Sequence, residues 1–366
     1  MEILKDRVFS ALLALLRAGL WGREVDEMSL FPLDEQQWRE LYRISHSQTV
    51  TGIVYRGISY LPEHLMPPTM HGLKWVAQVD AIERRSEQMN KALAALCKVF
   101  SEAGLHPVLQ KGQGVAQMYA VPSLRESGDI DLWFSADEWT AAAEVAKRIS
   151  GSFTMMPDGA GIYKWQGFDV EHHLEMFDIK NPFKRSFIKR LMSEKQNDRV
   201  RLAESGAEVA IPTIEQNALL LNTHILKHII GLGVGLRQFC DLARFYHAAH
   251  NDWNGAEIKE LYAKAGLLKW SNLLHSFLVE YLGLAPCELP YQHPVDINSS
   301  RLLDFISLGG NFGLHNQTRN EKQDGSLKLK INTLRNTMVH TLWAFRYAPV
   351  EVVANTFHLV FRQLKG

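Results

Sequence analysis

The chain has 366 residues, of which 46% are apolar and 22% are charged, so it is long enough to form two or three domains with real cores. Its 40 Lys and Arg residues balance its 40 Asp and Glu residues. Because phosphate neutralisation dominates binding to long DNA or RNA, the absence of a basic excess argues against a long nucleic-acid substrate.

The cysteines and the hydropathy pattern indicate the cellular compartment. Cys97, Cys240 and Cys287 lie far apart and form no CxxC pair, so neither a disulfide framework nor a thiolate zinc site is predicted. We therefore expect a reducing, cytoplasmic compartment. The apolar N-terminal stretch is interrupted by charges at helical spacing, which predicts an amphipathic helix and not a signal peptide. No stretch reaches the roughly 20 apolar residues of a membrane span.

Residues 1–100 have a helical pattern throughout. Apolar residues recur at intervals of three and four over residues 8–20, 38–58 and 75–104. The last of these helices is predicted to end at Gly104, because glycine is the usual residue after a helix C-terminus.

The pattern changes at residue 105, where short apolar stretches alternate with turns. Ser135 is predicted to cap a helix that ends at Gly151, and Gly167 to join two strands as a hairpin. The predicted order is strand, helix, strand, helix, strand and strand, over residues 105–112, 114–120, 129–135, 135–151, 161–167 and 168–177.

After about residue 210 the chain is helical again, with Pro212 at the start of the first helix and a loop predicted over residues 307–326. The predicted fold class is α+β, with a small mixed β-sheet flanked by helical regions. The predicted domains are a helical N-terminal arm, a catalytic core and a helical C-terminal domain, over residues 1–100, 101–210 and 211–366.

Two carboxylates in one predicted strand are the first candidate site. Asp129 and Asp131 are one residue apart, so both side chains leave the same face, while Ile130, Leu132 and Phe134 point towards the core. Adjacent carboxylates repel each other unless a cation lies between them, and hard oxygen ligands suit Mg²⁺ or Mn²⁺. The alternative is an ordinary acidic strand edge.

Flanking segments strengthen the metal hypothesis. Upstream, the strand that ends in "LQKG" opens into a helix, a geometry typical of phosphate binding. Downstream, "FDVEHH" places Asp169, Glu171 and His173 on one face of a predicted strand. A third acid from this strand would complete a metal site for in-line displacement at a phosphate.

These motifs resemble the nucleotidyltransferase superfamily, which includes DNA polymerase beta and the aminoglycoside nucleotidyltransferases. The chain is most similar to a group of bacterial nucleotidyltransferases. The resemblance covers roughly residues 100 to 250, and its motifs are "LQKG", "RESGDID", "VEHH", "HILKH" and "RQFCDLARF".

The resemblance implies specific roles for residues of this chain. Asp129, Asp131 and Glu171 would be the metal-binding and catalytic carboxylates, with Asp169 as the fallback for the third acid. Mg²⁺, or Mn²⁺, would be the cofactor and a nucleoside triphosphate (NTP) the donor. The nucleotide-binding residues would be Lys111, Gly112, Gln113, Arg125 and Arg237. Two departures stand out: the phosphate turn reads Gly-Gln instead of Gly-Ser, and the third acid is Glu instead of Asp.

Alternatives remain for several of these residues. Arg125 reaches a phosphate or pairs with Glu126 or Asp129, and Arg237 contacts a phosphate or pairs with Asp241 at i+4. His224 and His228 also lie at i and i+4, as zinc ligands sometimes do. With no cysteine nearby and no HExxH motif, a hydrogen-bonded interior pair or a pair lining the nucleotide cleft is the preferred interpretation.

The implied reaction transfers a nucleoside monophosphate from an NTP to a hydroxyl of a small molecule or a protein and releases pyrophosphate. The alternative from another class is a non-catalytic nucleotide-sensing or protein-interaction module on the same fold, which the two departures keep open. A helical phosphohydrolase of the His-Asp type is disfavoured, because the chain has no His-Asp dipeptide.

Overall fold

The computed structural model describes residues 6–156, 159–193, 197–230, 233–292, 294, 297–309 and 341–365. The predicted loop over residues 307–326 lies outside these residues, except for its first three, which belong to a helix.

Most of the described chain is helical. The α-helices are α1 (Arg7–Trp21), α2 (Glu35–Ser47), α3 (Thr51–Ile58), α4 (Thr69–Glu102), α5 (Gly112–Ala116), α6 (Trp139–Ser150), α7 (Arg185–Ser193), α8 (Ile214–Ile230), α9 (Leu236–Ala249), α10 (Gly255–Ala265), α11 (Leu268–Glu280), α12 (Ser300–Gly309) and α13 (Pro349–Lys365). No helix in this part of the chain is long and apolar enough to cross a membrane.

Seven strands form one mixed sheet. They are β1 (Val108–Gln110), β2 (Ile130–Trp133), β3 (Thr154–Met155), β4 (Gly161–Trp165), β5 (Phe168–His173), β6 (Asp198–Arg201) and β7 (Glu208–Ile211). Their spatial order is β3-β4-β5-β2-β1-β7-β6. Strand β2 runs parallel to β5 and antiparallel to β1, and β1 runs parallel to β7.

The predicted fold class is confirmed, and the predicted strands and helices of the core follow one another in the expected order. Gln166 and Gly167, at φ 46° and 87°, form the turn of the predicted β4–β5 hairpin. Positive φ at both central residues is the geometry that matches the twist of the flanking strands.

Three local predictions were wrong. Helix α6 begins at Trp139, because Ser135 makes a preceding turn without capping it, and the Glu138 carboxylate instead lies 2.6 Å from His106. The apolar pattern over residues 38–58 is two helices, which are separated where Thr49 adopts a φ of 53°. The strands β3, β6 and β7 were not predicted, since β3 has only two residues, β6 is mostly charged and β7 has only four residues.

The two faces of the sheet have different environments. Ile130, Leu132 and Phe134 are buried together with apolar residues of α4 and α6, as predicted from their alternation. The opposite face of β2 and β5 carries Asp131 and Glu171. The helices α4 and α6 therefore support one face from behind, and the other face is left for polar groups.

Candidate active site

Three neighbouring strands bring polar side chains into register. Asp131 of β2 lies opposite Gln110 of β1 and opposite Glu171 of β5. Residues directly opposite each other on neighbouring strands have Cβ atoms about 5 Å apart, so the Asp131 and Glu171 carboxylates are adjacent. Asp129 precedes the first residue of β2 instead of lying within the strand. Asp131 itself is buried.

Asp131, Glu171 and His173 form the one group of three potential metal ligands found among the described residues. Their ligand atoms all lie within 4.8 Å of one another. His173 Nε2 lies 2.7 Å from Asp131 Oδ1 and 3.5 Å from Glu171 Oε2. Two carboxylate oxygens and an imidazole nitrogen are a donor set that a divalent cation can use. We call these three residues the metal cluster.

The metal cluster differs in one member from the predicted set. Asp131 and Glu171 belong to it, whereas Asp129 does not, and His173 takes the third place. Sequence reasoning placed His173 on the same face as Glu171 without assigning it a role. Asp169, the fallback acid, is exposed and pairs with Lys164 at 2.7 Å, outside the cluster.

The turn between β1 and α5 places a lysine against the metal cluster. Lys111 Nζ lies 3.2 Å from Asp131 Oδ1, the same oxygen that His173 contacts. Lys111 has a φ of 50°, which is uncommon for a residue with a Cβ and carries backbone strain. Gly112 follows at φ +40°, and a Cβ there would lie 3.7 Å from the Asp129 carbonyl oxygen. The predicted phosphate turn therefore lies directly beside both aspartates.

Charge is distributed unevenly over the acidic residues. Burial alone would raise the pKa of Asp131, but Lys111 and His173 hold it well below its usual range. Repulsion from Asp131, together with burial, raises the pKa of Asp129. Burial, with the charge of Asp131, also raises the pKa of Glu171. The site therefore holds one strongly ionised carboxylate and two whose ionisation a bound cation would favour.

The segment before β2, which we call the 125–128 loop, is held by buried contacts. Arg125 Nε and Nη2 donate to the Asp241 carboxylate at 3.0 and 2.7 Å, and Nη1 donates to Ser127 Oγ at 2.6 Å. Tyr119 also donates to Asp241. All three guanidinium nitrogens of Arg125 thus have protein acceptors, and Asp241 pairs with Arg125 instead of with Arg237.

Arg237 lies on the other side of this loop. Its Nη1 donates to the Glu126 carbonyl oxygen at 2.8 Å. Its Nε is buried and has no hydrogen-bond partner among the described residues. Asp129 and Glu126 are among the charges that act on its guanidinium. Arg237 therefore faces the Asp129 side of the site with a donor that no described protein group satisfies.

Gln113, predicted to bind the nucleotide, has its side chain in a buried network. Its Nε2 lies 2.8 Å from Asn90 Oδ1, and its Oε1 accepts a hydrogen bond from Ser127 at 2.8 Å. The amide thereby joins α4 to the 125–128 loop. This structural role explains why a glutamine with two donors and an acceptor replaces a serine hydroxyl at this position.

A second charged group beside the site was not predicted from the sequence. Asp178 Oδ1 lies 2.7 Å from Lys227 Nζ, and Asp178 Oδ2 lies 3.6 Å from His224 Nδ1. Burial lowers the pKa of His224 to about 4, with Lys111 contributing, so His224 is neutral at pH 7. His224 and His228 stack edge to face at 4.4 Å and belong to no three-ligand group among the described residues. His228 is buried and His224 is partly buried, and the choice between a hydrogen-bonded interior pair and a pair lining the nucleotide cleft stays a prediction.

The fold and the metal cluster define an α+β protein with an acidic centre on the open face of a mixed sheet. The chain belongs to the family described as "Uncharacterised nucleotidyltransferase", whose model matches residues 34–283. This match is wider than the resemblance of residues 100 to 250, and it takes in α2, α3, α4, α10 and α11.

Comparison with solved structures finds a distant neighbour, the crystal structure of an antigenic nucleotidyltransferase-like protein from Paracoccidioides brasiliensis. It covers 54% of this chain and 93% of its own, with 13% identity and a TM-score of 0.33. A likeness this distant carries no information about the site. No curated protein matches the chain.

Proposed function

We propose that this protein is a metal-dependent nucleotidyltransferase. It moves a nucleoside monophosphate from an NTP to a hydroxyl group of a small molecule or a protein and releases pyrophosphate. The observation that carries the proposal is the metal cluster of Asp131, Glu171 and His173, which lies directly beside the strand-to-helix turn at Lys111. Family membership supports the reaction class.

Asp131 and Glu171, with Asp129 next to them, would hold Mg²⁺ or Mn²⁺, and the imidazole of His173 would suit the softer Mn²⁺ as a further ligand. The bound cation would supply Lewis-acid polarisation of the phosphate oxygens. With a cation held at Asp131, the Lys111 ammonium group would no longer have to neutralise that carboxylate and would be able to contact the phosphates. Arg237 Nε, with Gly112 and the Gln113 backbone N–H, completes the proposed phosphate contacts, and Arg125 positions the 125–128 loop.

In the proposed step, the acceptor hydroxyl oxygen forms a bond to the α-phosphorus of the NTP, and the bond from that phosphorus to the bridging oxygen of the β-phosphate breaks. Pyrophosphate leaves with the electron pair of the broken bond. The hydroxyl proton passes to the Glu171 carboxylate, which lies opposite Asp131 on the neighbouring strand and acts as the general base.

A second candidate function is a nucleotide-binding module without catalysis. It is favoured by the contacts that Asp131 Oδ1 already makes within the protein. Lys111 Nζ lies 3.2 Å and His173 Nε2 lies 2.7 Å from this oxygen. It would bind an NTP at the same place without transferring the nucleotide.

The test is thermal unfolding of the wild-type protein with each of the four NTPs, with and without Mg²⁺ or Mn²⁺. A ligand at 100 times its dissociation constant adds about 2.7 kcal/mol to the free energy of unfolding, which raises the thermal midpoint by a few degrees. We expect a metal-dependent rise with the preferred NTP that is lost in Asp131→Asn. Asp169→Asn is the matched control, because this acid lies on the same strand outside the metal cluster and should behave as wild type.

Two results would contradict the enzyme proposal. The absence of a rise with every NTP and either metal would remove both candidate functions. A metal-dependent rise without pyrophosphate release, when candidate acceptors from a cell extract are supplied, would favour the non-catalytic module.

A further inference from the structure

A cleft of about 210 Å³ opens between α4 and the 125–128 loop, outside the metal cluster. We call it the α4 cleft. On the helix side Ala81, Ile82 and Met89 provide an apolar surface. The loop side is formed by Glu126 and Ser127.

The α4 cleft and the metal cluster are joined through the 125–128 loop. Ser127 lines the cleft and is separated from Asp129 by one residue, so the Cα atoms of these two residues are at most about 7.6 Å apart. Arg85, also in the cleft wall, donates from Nη2 to the Gly128 carbonyl oxygen at 3.2 Å. A ligand in the cleft would therefore lie beside the residues that lead directly into β2.

The charges of the cleft do not suit a triphosphate. Its lining has one cation, Arg85, and one carboxylate, Glu126, so its formal charges cancel. The groups proposed to hold phosphates, Lys111 and Arg237, line other parts of the site. The triphosphate is therefore expected outside the cleft, and the cleft is available for an uncharged part of the substrate.

The composition of the cleft does suit a nucleobase. Small-ligand sites combine apolar walls with a few polar groups that fix orientation. The volume of about 210 Å³ leaves room for one ring system, the base, and not for the ribose as well. Gln78 offers an amide to the edge of a base, and Glu126, whose Oε1 accepts a hydrogen bond from the Thr51 backbone N–H, offers its second carboxylate oxygen. The Arg85 guanidinium lies 5.0 Å from the Phe168 ring centroid, and this contact and the bond to Gly128 hold a planar group at the cleft wall.

We propose that the α4 cleft binds the base of the donor NTP and thereby selects it, while the ribose lies outside the cleft and the triphosphate extends past Asp129 to the metal cluster. This proposal rests on the proposed function, since it assigns one half of the same substrate.

The experiment measures the binding of two probes separately by isothermal titration, each in the presence of Mn²⁺. One probe is the preferred NTP and the other is inorganic tripolyphosphate. Ala81→Trp fills the cleft from an exposed position of α4, and Ala77→Trp makes the same change at an exposed position outside the cleft. We expect Ala81→Trp to weaken NTP binding at least tenfold and to leave tripolyphosphate binding unchanged. Ala77→Trp should bind both probes as wild type does.

Equal NTP affinity in Ala81→Trp and wild type overturns the cleft proposal and leaves the proposed function intact. Failure of both probes to bind the wild-type protein overturns the proposed function, and the cleft proposal with it. Because Ala81→Trp could perturb folding, Gln78→Leu is the second variant. It should change the order of affinity among the four NTPs without changing tripolyphosphate affinity, and an unchanged order contradicts the proposal.

Discussion

At the scale of single residues, the Arg125–Asp241 pair stands out because both side chains are only 5% exposed. The pair joins α9 to the 125–128 loop and so fixes the approach to Asp129. A buried pair costs desolvation that is offset only while both partners are present. The main effect of the pair is therefore to hold the 125–128 loop in position. Removal of one charge leaves the other buried without compensation, which is unfavourable.

We predict that Asp241→Asn lowers the free energy of unfolding by about 3 kcal/mol, because it leaves the Arg125 guanidinium buried without a counter-charge. Urea unfolding at neutral pH measures the change. The control is Asp169→Asn, which removes an exposed ion pair with Lys164 and should cost less than about 1 kcal/mol. Equal losses in the two variants would mean that the buried pair has no special importance.

His224 makes stability sensitive to acid. Its pKa in the folded protein is lowered to about 4 from 6.5, so the unfolded chain takes up a proton first as the pH falls. The contribution of this residue is therefore fully present above pH 6.5 and is lost as the pH falls towards 4. Over that whole window the loss amounts to about 3 kcal/mol.

We predict that the free energy of unfolding falls less in His224→Gln than in the wild type between pH 7 and pH 5. The difference between the two losses should be about 2 kcal/mol. Chemical denaturation at a series of pH values provides the measurement. His64→Gln, at an exposed position, should retain the wild-type profile. Parallel profiles for wild type and His224→Gln would show that the buried imidazole does not cause the acid sensitivity.

At the scale of elements, α1 and α3 cross at two glycines. A Cβ on Gly19 would lie 1.8 Å from the Ile53 carbonyl oxygen, and one on Gly57 would lie 1.9 Å from the Leu15 carbonyl oxygen. Both obstacles are backbone atoms, so no side-chain rotation can relieve them. The two helices therefore pack this closely only because neither position has a side chain.

We predict that Gly57→Ala destabilises the protein by about 2 kcal/mol or more, because the helices must move apart and lose packing. Gly72→Ala is the matched control on α4, where an added Cβ meets nothing within 4 Å. That change should stabilise by up to about 1 kcal/mol through helix propensity. The measurement is the thermal midpoint of each variant. A shift of both midpoints in the same direction would contradict the prediction.

At the scale of the whole molecule, the N-terminal and C-terminal helices share one core. Leu15 and Ile53 belong to the same buried cluster as Leu220, Phe239 and Phe277. A second cluster lies under the sheet and takes Met89, Leu93, Leu96 and Phe100 from α4. Both clusters therefore combine residues from different predicted domains.

We predict that the fragment of residues 101–210, the proposed catalytic core, does not fold by itself. It lacks the α4 side chains that cover one face of its sheet and lacks Asp241, the partner of Arg125. Circular dichroism during urea titration should show a cooperative transition for the full chain and none for the fragment. A cooperative transition in the fragment would support an independent core with the predicted boundaries.

Much of the candidate site follows from local sequence patterns. A period of two places Ile130, Leu132 and Phe134 on the buried face and Asp131 on the opposite face, whatever the rest of the chain does. Turns with positive φ at Gly112 and Gly167 follow from residue type, because glycine has no Cβ and adopts positive φ readily. Glu171 could be chosen as a partner for Asp131 because "FDVEHH" has the same alternation.

The partners of these residues depended on long-range pairing, which local patterns do not encode. The parallel register of β2 and β5 decides that His173 lies beside Asp131 and Glu171. Packing of α9 against the 125–128 loop decides that Asp241 pairs with Arg125, 116 residues away, and not with its helical neighbour Arg237.

The sequence by itself determined the fold class, the order of the core strands and helices, and the acidic strand on which the site is built. Each of these depends on periodicity and on residue types over a few positions. The tertiary structure alone decided which side chains meet there, because contacts between distant segments are selected by burial and charge in the folded chain. It also decided the partner of the Gln113 side chain, since α4 supplies the Asn90 that its amide binds.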